Sequence, residues 1–398
     1  MSFLTSLMVP GTLMVVLGPI AAHRGLHIMG LRVQYLIVAL MLGLVVGPSM
    51  IGSVAPGFTQ VMFPNGFDSL SRMSYWAVVA MGYMAGMELR GDEHHGVAVN
   101  KKQIALLSIA TIGAQVALAI ALGLSFQLWF PAATTPWTPL GLMIMLPVIA
   151  LPVLTAALIG MRMTQSKVGQ VALTKSANSE IYLWPVFIGV TAVVGSEHGI
   201  SFGWLIVLVA LFVAAIAAAR YALQWLEPRS HVLALVLNGV LLIAAVYYTD
   251  SIGMHNLLGA VGAGWAASRS ARNVINRSER LIQFGLAPFF LMGVGLTTRF
   301  ELLDPNVWIL TIILTVLSGA LQTGLVGVLT KRKLGLTWKE GFATGFLCQM
   351  RGMVEIVISK ELKLLGVINP LLFTSVILMA FIQTLIGPVA AQHLLKND

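Results

Sequence analysis

The chain has 398 residues, 58% hydrophobic and only 10% charged, with a mean hydropathy of +0.88. Soluble domains carry roughly 25% charged residues, so a soluble enzyme is excluded, and runs of about 20 apolar residues from end to end indicate an all-α polytopic membrane protein. In such a chain the net charge of +9 marks loops on one side of a bilayer rather than a nucleic-acid surface, and the single Cys348 allows neither an intramolecular disulfide nor a cysteine metal cluster.

The first stretch, MSFLTSLMVPGTLMVVLGPIAAHRG, has no basic segment ahead of its apolar run. It reads as a first spanning helix rather than a cleaved signal. The hydropathy pattern predicts thirteen spans: 6–22, 34–52, 73–89, 103–126, 138–160, 174–195, 202–221, 231–248, 254–268, 281–298, 306–330, 341–362 and 368–394. The ninth is short for a full crossing.

Between these spans the basic residues alternate. Nineteen of the 24 Lys and Arg fall in the odd-numbered loops and the C-terminal tail. Four (Arg72, Arg299, Lys360 and Lys363) fall in the even loops, and Arg351 lies within a span. This asymmetry predicts an outside N-terminus and a cytoplasmic C-terminus. An odd count suits one extra helix followed by two six-helix units. Spans 2–7 and 8–13 would both begin inside, so parity leaves the repeat symmetry open.

Two spans carry helix breakers. Span 5 reads WTPLGLMIMLPVIALPVLTAALIG, where Pro147 and Pro152 each remove a backbone donor. Span 12 reads GFATGFLCQMRGMVEIVISK, with Arg351 and Gly352 at its centre. Irregular backbone at membrane depth is tolerated where it lines a cavity or is packed in protein. A pair of interrupted helices at comparable places in two halves points to a transporter's binding site, although a proline kink and a packing glycine would leave the same marks.

Charges at membrane depth single out the remaining candidates. Glu180 lies inside VALTKSANSEIYLWPVFIGV, and Lys175, five positions earlier, is about 140° around the helix and a poor partner. A carboxylate in that position is costly and is a functional-site candidate by default. Arg351 and Glu355 are four apart and together nearly neutral. They suit either a buried pair compensating half-helix ends or direct ion transfer. Glu88 reads as an interfacial residue, His94 and His95 beside Asp92 and Glu93 as a solvated loop, and His255 as a packing or capping residue. No metal site is expected. The small residues of GAVGAG at 259–264, with Gly293 and Gly295, mark close helix packing or a sliding surface.

Seven segments, in order along nearly the whole chain, resemble monovalent cation:proton antiporter family 2, which includes Kef-type and plant cation/proton exchangers. They are LGLVVGPSMIG, AGMEL, LPVLTAAL, SIGMHNLLGAVGAG, LAPFFLMGVGL, MRGMVEIVI and FTSVILMAFIQTLIGP. The resemblance implies a sodium/proton antiporter-like fold with inverted repeats, two crossed broken helices (spans 5 and 12), and an elevator-like motion. It implies one exchanger domain over 1–398, with a core around 138–195 and 341–394, the remaining helices for scaffold and dimerisation, and no soluble regulatory domain. The protein would be a homodimer in the cell (inner) membrane and not an enzyme.

Span 6 would carry the ion site. KSANSEIYLW aligns with the family's paired Asn-Asp or Asp-Asp stretch and puts Glu180 on its second acid and Ser179 on the residue before. Here Asp is replaced by Glu, the pair holds one acid, Ile149 stands at a Thr position and Lys175 replaces a small residue. The resemblance therefore implies exchange of Na⁺ or K⁺ for H⁺, with no other cofactor. Glu180 would bind either ion but not both, exchange would be electroneutral, and Ser179, Asn178 and unwound carbonyls would complete the shell. Arg351, Glu355 and Lys175 would balance charge in the core. A proton-coupled carrier of an organic or anionic substrate on the same fold is the alternative.

Overall fold

A computed structural model describes residues 35–47, 49–55, 68–88, 101–195, 202–252, 256–281, 301 and 304–395, with a few isolated positions such as 27–28 and 31–32. The first predicted span, most of the tenth, His94, His95, His255 and Gly295 lie outside the described residues, whereas Gly293 is described and buried. The side chain of Glu88 also lies outside them.

In chain order the elements are β1 (His27–Ile28) and β2 (Leu31–Arg32), a two-residue antiparallel pair, then α1 (Tyr35–Val46), α2 (Ile51–Val54), α3 (Asp68–Glu88) and α4 (Lys101–Trp129). There follow α5 (Thr138–Met145), α6 (Leu151–Gly160), α7 (Lys167–Gly195), α8 (Phe202–Leu226), α9 (His231–Ser251), α10 (Asn256–Trp265) and α11 (Arg269–Leu281). The last are α12 (Pro305–Leu334), α13 (Trp338–Leu347), α14 (Met353–Leu364) and α15 (Pro370–Leu395). The chain is therefore almost wholly helical where described.

Five of these helices are long and apolar enough to cross a membrane on their own: α4, α8, α9, α12 and α15. The others explain themselves by sequence. At 29 residues α7 is roughly 43 Å long, ample for a bilayer, but it carries Lys167, Lys175 and Glu180. It starts seven residues before the apolar window that predicted it, because Lys and Gln do not stop a helix. The predicted spans 5 and 12 each divide into two half-helices. The ten residues of α10 reach only about 15 Å, as the short ninth span implied.

Local signals fix the ends. Asp304 caps α12 by accepting the Asn306 N–H at 2.8 Å, with Pro305 in the first turn, and Gly335 ends that helix in the left-handed conformation (φ 65°). Thr337 and Glu340 form a reciprocal capping box at the start of α13.

The chain divides into two compact units, each taking one segment from either half of the sequence: Met1–Arg90 with Gly195–Phe300, and Gly91–Val194 with Glu301–Asp398. In the first, α3 packs along α10 at very short range. A methyl on Gly86 would strike the Val261 carbonyl, and one on Gly264 the Tyr83 carbonyl. The small residues of 259–264 thus serve helix packing inside this unit. The second unit holds both broken helices and α7. Its apolar core joins Ile104 and Leu107 of α4, Ile149, Leu154 and Leu158 of the first broken helix, Val171 and Ala172 of α7, and Leu347 and Met350 of the second.

Candidate functional site

The two breaks meet inside the second unit. Pro147 lies in the link 146–150 between α5 and α6, which makes a turn at 146–147 and is non-helical from 148 to 150. Pro152 is the second residue of α6, where its missing N–H has no intrahelical acceptor to lose. The other link runs from 348 to 352 between α13 and α14. The Ala150 N–H donates to the Met350 carbonyl at 2.9 Å, so the two links touch backbone to backbone. Gly352 permits this approach. A Cβ there would stand 2.5 Å from Val153 Cγ2 and 2.6 Å from Ala150 Cβ, too close for any side chain.

Breaking two helices leaves orphan backbone groups, and buried side chains meet them. Arg351 reaches the C-terminal end of α5, donating to the Met145 carbonyl at 2.5 Å and the Leu146 carbonyl at 2.8 Å. A guanidinium suits the negative end of a helix dipole. Its Nε donates to Gln383 Oε1 at 3.0 Å, and Nη1 stands 3.4 Å from Glu355 Oε1. Glu355 occupies the first turn of α14, the positive end of that half-helix. Thr384 holds the Arg351 backbone on both sides, accepting its N–H at 2.9 Å and donating to its carbonyl at 3.0 Å. The predicted pair of Arg351 and Glu355 is therefore formed, although the helix does not run through both residues. It also spans the break.

Glu180 sits at the other broken end. Its Oε1 accepts the N–H of Leu151, first residue of α6, at 3.1 Å. Its Oε2 is buried without a hydrogen-bond partner among the described residues. Ser176, one turn earlier on α7, donates to the Ile149 carbonyl at 3.2 Å. A hydroxyl thus reaches the crossing where the chain itself offers the apolar Ile149. Ser179 is buried but turns its hydroxyl to the Lys175 carbonyl of its own helix at 2.9 Å. Asn178 is half-buried and makes no hydrogen bond to Glu180. The structure thus brings Glu180 and Ser176 to the break, and leaves Ser179 and Asn178 off the carboxylate.

Lys175 is fully buried on the same helix, with no ion pair among the described residues. Two basic side chains (Lys175 and Arg351) and two acidic ones (Glu180 and Glu355) are therefore enclosed in one unit, equal in number. Glu355 Oε2, like Glu180 Oε2, has no partner among the described residues. One unpaired carboxylate oxygen at each break is an arrangement able to receive a proton or a small cation.

A polar layer behind the crossing was not foreseen. Gln383 donates to Ser318 Oγ at 2.9 Å, Gln115 to the Ser318 carbonyl at 2.9 Å, and Gln349 to the Gly319 carbonyl at 3.0 Å and to Thr323. The sequence signal was four glutamines (Gln115, Gln322, Gln349 and Gln383) inside otherwise apolar predicted spans, where an amide is retained only if it is bonded. Trp184, one turn beyond Glu180, is also buried, with its indole N–H unbonded among the described residues. The next residue, Pro185, supplies no N–H to the Ile181 carbonyl and so weakens α7 just beyond the acid.

Two half-helix pairs that meet at their breaks, with an unpaired buried carboxylate facing one break, define the core of a polytopic membrane transporter. The comparisons specify which. Residues 13–397 match the model of the sodium/hydrogen exchanger transmembrane family, and the chain belongs to that family. It is 24% identical over 374 residues to K(+)/H(+) antiporter 1 of Saccharomyces cerevisiae, covering 86% of this chain and 41% of the yeast protein. It is 24% identical over 400 residues to Na(+)/H(+) antiporter NhaS4 of Synechocystis, covering 96% of both chains. It is 25% identical over 371 residues to cation/H(+) antiporter 17 of Arabidopsis thaliana, covering 89% of this chain and 44% of the plant protein. The chain thus spans less than half of the yeast and plant relatives and nearly all of the cyanobacterial one. All three carry names of cation/proton antiporters, and none of an organic or anionic substrate carrier.

Proposed function

We propose that this protein exchanges a monovalent cation, Na⁺ or K⁺, for protons by alternating access, with Glu180 as the carboxylate that the two ions share. The observation that carries this reading is the position of Glu180. One oxygen is fixed by a half-helix N–H, the other is unpaired, and both are buried in the unit that holds the crossed breaks. Leaving a carboxylate oxygen unpaired in an apolar interior costs free energy unless a ligand takes it up. A proton does so by neutralising the group, and a cation does so as counter-ion. Occupation by one excludes the other, and that competition couples the two fluxes.

With one such acid on α7, one H⁺ moves per cation and exchange is electroneutral. Carbonyls of 146–150 and 348–352 supply further oxygen ligands, the type that hard monovalent cations favour. Arg351, Glu355 and Lys175 keep the enclosed charge balanced. Ser179 and Asn178 join the ion only through a rotamer change that turns them off their present positions. The unit of 91–194 and 301–398 is the moving core, and that of 1–90 and 195–300 the scaffold and dimer contact. The protein is a homodimer of the cell membrane; the distribution of its basic residues supports an outside N-terminus and a cytoplasmic C-terminus.

The test is a pH-gradient assay in proteoliposomes with Na⁺, K⁺ and Li⁺ on wild type and Glu180→Gln. Cation-evoked proton movement in wild type and its loss in the variant support the reading. Full exchange by Glu180→Gln removes it, and a wild type indifferent to all three ions removes cation exchange.

A further inference from the structure

The segment 269–281, RSARNVINRSERL, reads in sequence as a basic loop between spans, but it folds as the helix α11. Four arginines and one glutamate make it far too polar to cross a bilayer. Its faces are nonetheless sorted. Ala271 is buried and Ile275 packs with Tyr83, Ile216, Ala263, Ala266 and Ala267, whereas Arg269, Asn273, Val274 and Arg277 are exposed.

The depth of α11 follows from its hydrogen bonds. The turn between α8 and α9 joins two helices that are each long and apolar enough to cross, so it lies at a membrane surface. Glu227 in that turn accepts the Ser270 N–H at 2.9 Å and also the Ser270 hydroxyl. Just ahead of α11, Ser268 is clasped by Asn238 of α9, through bonds of 2.9 and 3.2 Å. The first turn of α11 is therefore pinned to the turn between two spans, and the residue ahead of it to α9 two turns inside its start.

Aromatic rings mark the same level. Tyr221 and Trp225 are 73% and 63% exposed near the end of α8. The Arg229 guanidinium lies 3.8 Å from the Trp225 ring centre, and that of Arg220 lies 4.2 Å from the Trp265 ring centre. Exposed Trp and Tyr gathered at helix ends is the pattern of a headgroup-level belt. Two arginines are thus stacked on the belt, while Arg269 and Arg277 of α11 make no ion pair among the described residues. Val274, exposed between them, adds one apolar side chain to that charged surface. An arginine-rich surface helix with a sorted apolar face lies along the interface and attracts anionic lipid.

We propose that α11 is a binding site for phospholipids with net negative headgroups, with Arg269 and Arg277 as the phosphate contacts. Guanidinium groups suit the site because they hold phosphate oxygens in a forked, two-point contact. Lipid held there would anchor the α8–α9 turn and α10, to which α11 is tied, within one leaflet. The site is independent of which ion the other unit carries.

The full-length protein in detergent is melted with added phosphatidylglycerol or with phosphatidylcholine. Wild type should gain a higher melting temperature from phosphatidylglycerol than from phosphatidylcholine. Arg269→Gln/Arg277→Gln should need on the order of thirtyfold more phosphatidylglycerol for the same gain, the loss expected when two basic residues are removed from an anionic surface. Arg269→Lys/Arg277→Lys should keep most of the preference, which separates lost charge from lost folding. An unchanged preference in the Gln variant would overturn the proposal. So would an equal loss on neutralising Lys331, Arg332 and Lys333 at the end of α12, because the preference would then follow overall charge rather than α11.

Discussion

Replacing Arg351 by Met keeps a long flexible side chain in the crossing but removes its charge and every bond its side chain makes. Three acceptors lose a donor, namely the Met145 and Leu146 carbonyls and Gln383 Oε1. Glu355, 3.4 Å away and itself buried, loses its cation. Stranding one member of a buried pair costs about 3–5 kcal/mol, and each orphaned acceptor about 1–3 kcal/mol before the break relaxes. The contributions overlap, so the single variant should lose on the order of 5 kcal/mol. Glu355→Gln removes the opposite charge and should cost less, because Arg351 keeps its carbonyls and Gln383. The double variant strands no carboxylate but still orphans the end of α5. It should be less destabilised than the two single changes together predict, by about 1–3 kcal/mol. Stability of the four proteins in detergent, by denaturant or thermal unfolding, completes the cycle. Additivity within about 0.5 kcal/mol would refute the pairing and leave Arg351 acting on the helix end alone.

Other changes probe the crossing and the membrane surface. Gly352→Ala places a methyl against Val153 and Ala150 and should cost about 1–3 kcal/mol with a loss of transport; Val153→Ala in the same chain should recover part of both, measured by melting and by pH-gradient assay. Gln383→Leu removes the acceptor of Arg351 Nε and should cost about 1–3 kcal/mol, visible as a lower melting temperature, whereas a shift within error would show that the polar layer is dispensable. At the membrane surface, burial pushes the Glu227 carboxyl up, but hydrogen bonds from Ser270 and His231 outweigh it and hold the group below its usual value. A lowered carboxyl contributes stability that is present above the usual carboxylate range and lost as pH falls through its folded value. Acid titration of the melting temperature should therefore show a loss below about pH 4.5 that is shallower in Ser270→Ala; identical curves would remove the linkage.

Much of the second unit was legible because its cues are local. Pro147, Pro152 and Gly352 mark the breaks in their own windows, and an acid inside an apolar run needs no partner to be noticed. The partners were not legible. Glu180 meets the Leu151 N–H, Ser176 meets the Ile149 carbonyl, and Arg351 meets Met145 and Leu146 more than two hundred positions away. Such bonds follow from how helices cross, which no periodicity records. Ser179 and Asn178 stand beside Glu180 in sequence, where the resemblance placed the ion site, whereas Ser176, one helix turn earlier, reaches the crossing with no local cue to mark it. Hydropathy also hid α11, since a search for apolar windows passes over an arginine-rich helix lying along a surface. Ile275 and Ala271, spaced four apart between polar residues, were the available signal.

Sharing of one carboxylate by proton and cation is the central claim, and the pH dependence of the cation half-saturation tests it most directly. Exchange is measured in proteoliposomes across a pH series at many Na⁺ or K⁺ concentrations. Competition at Glu180 predicts that, on the acid side, the half-saturating cation concentration rises by about tenfold per pH unit while the maximal rate at saturating cation holds. A half-saturation that stays flat across the series, with only the maximal rate changing, would contradict it and place proton and cation on separate groups.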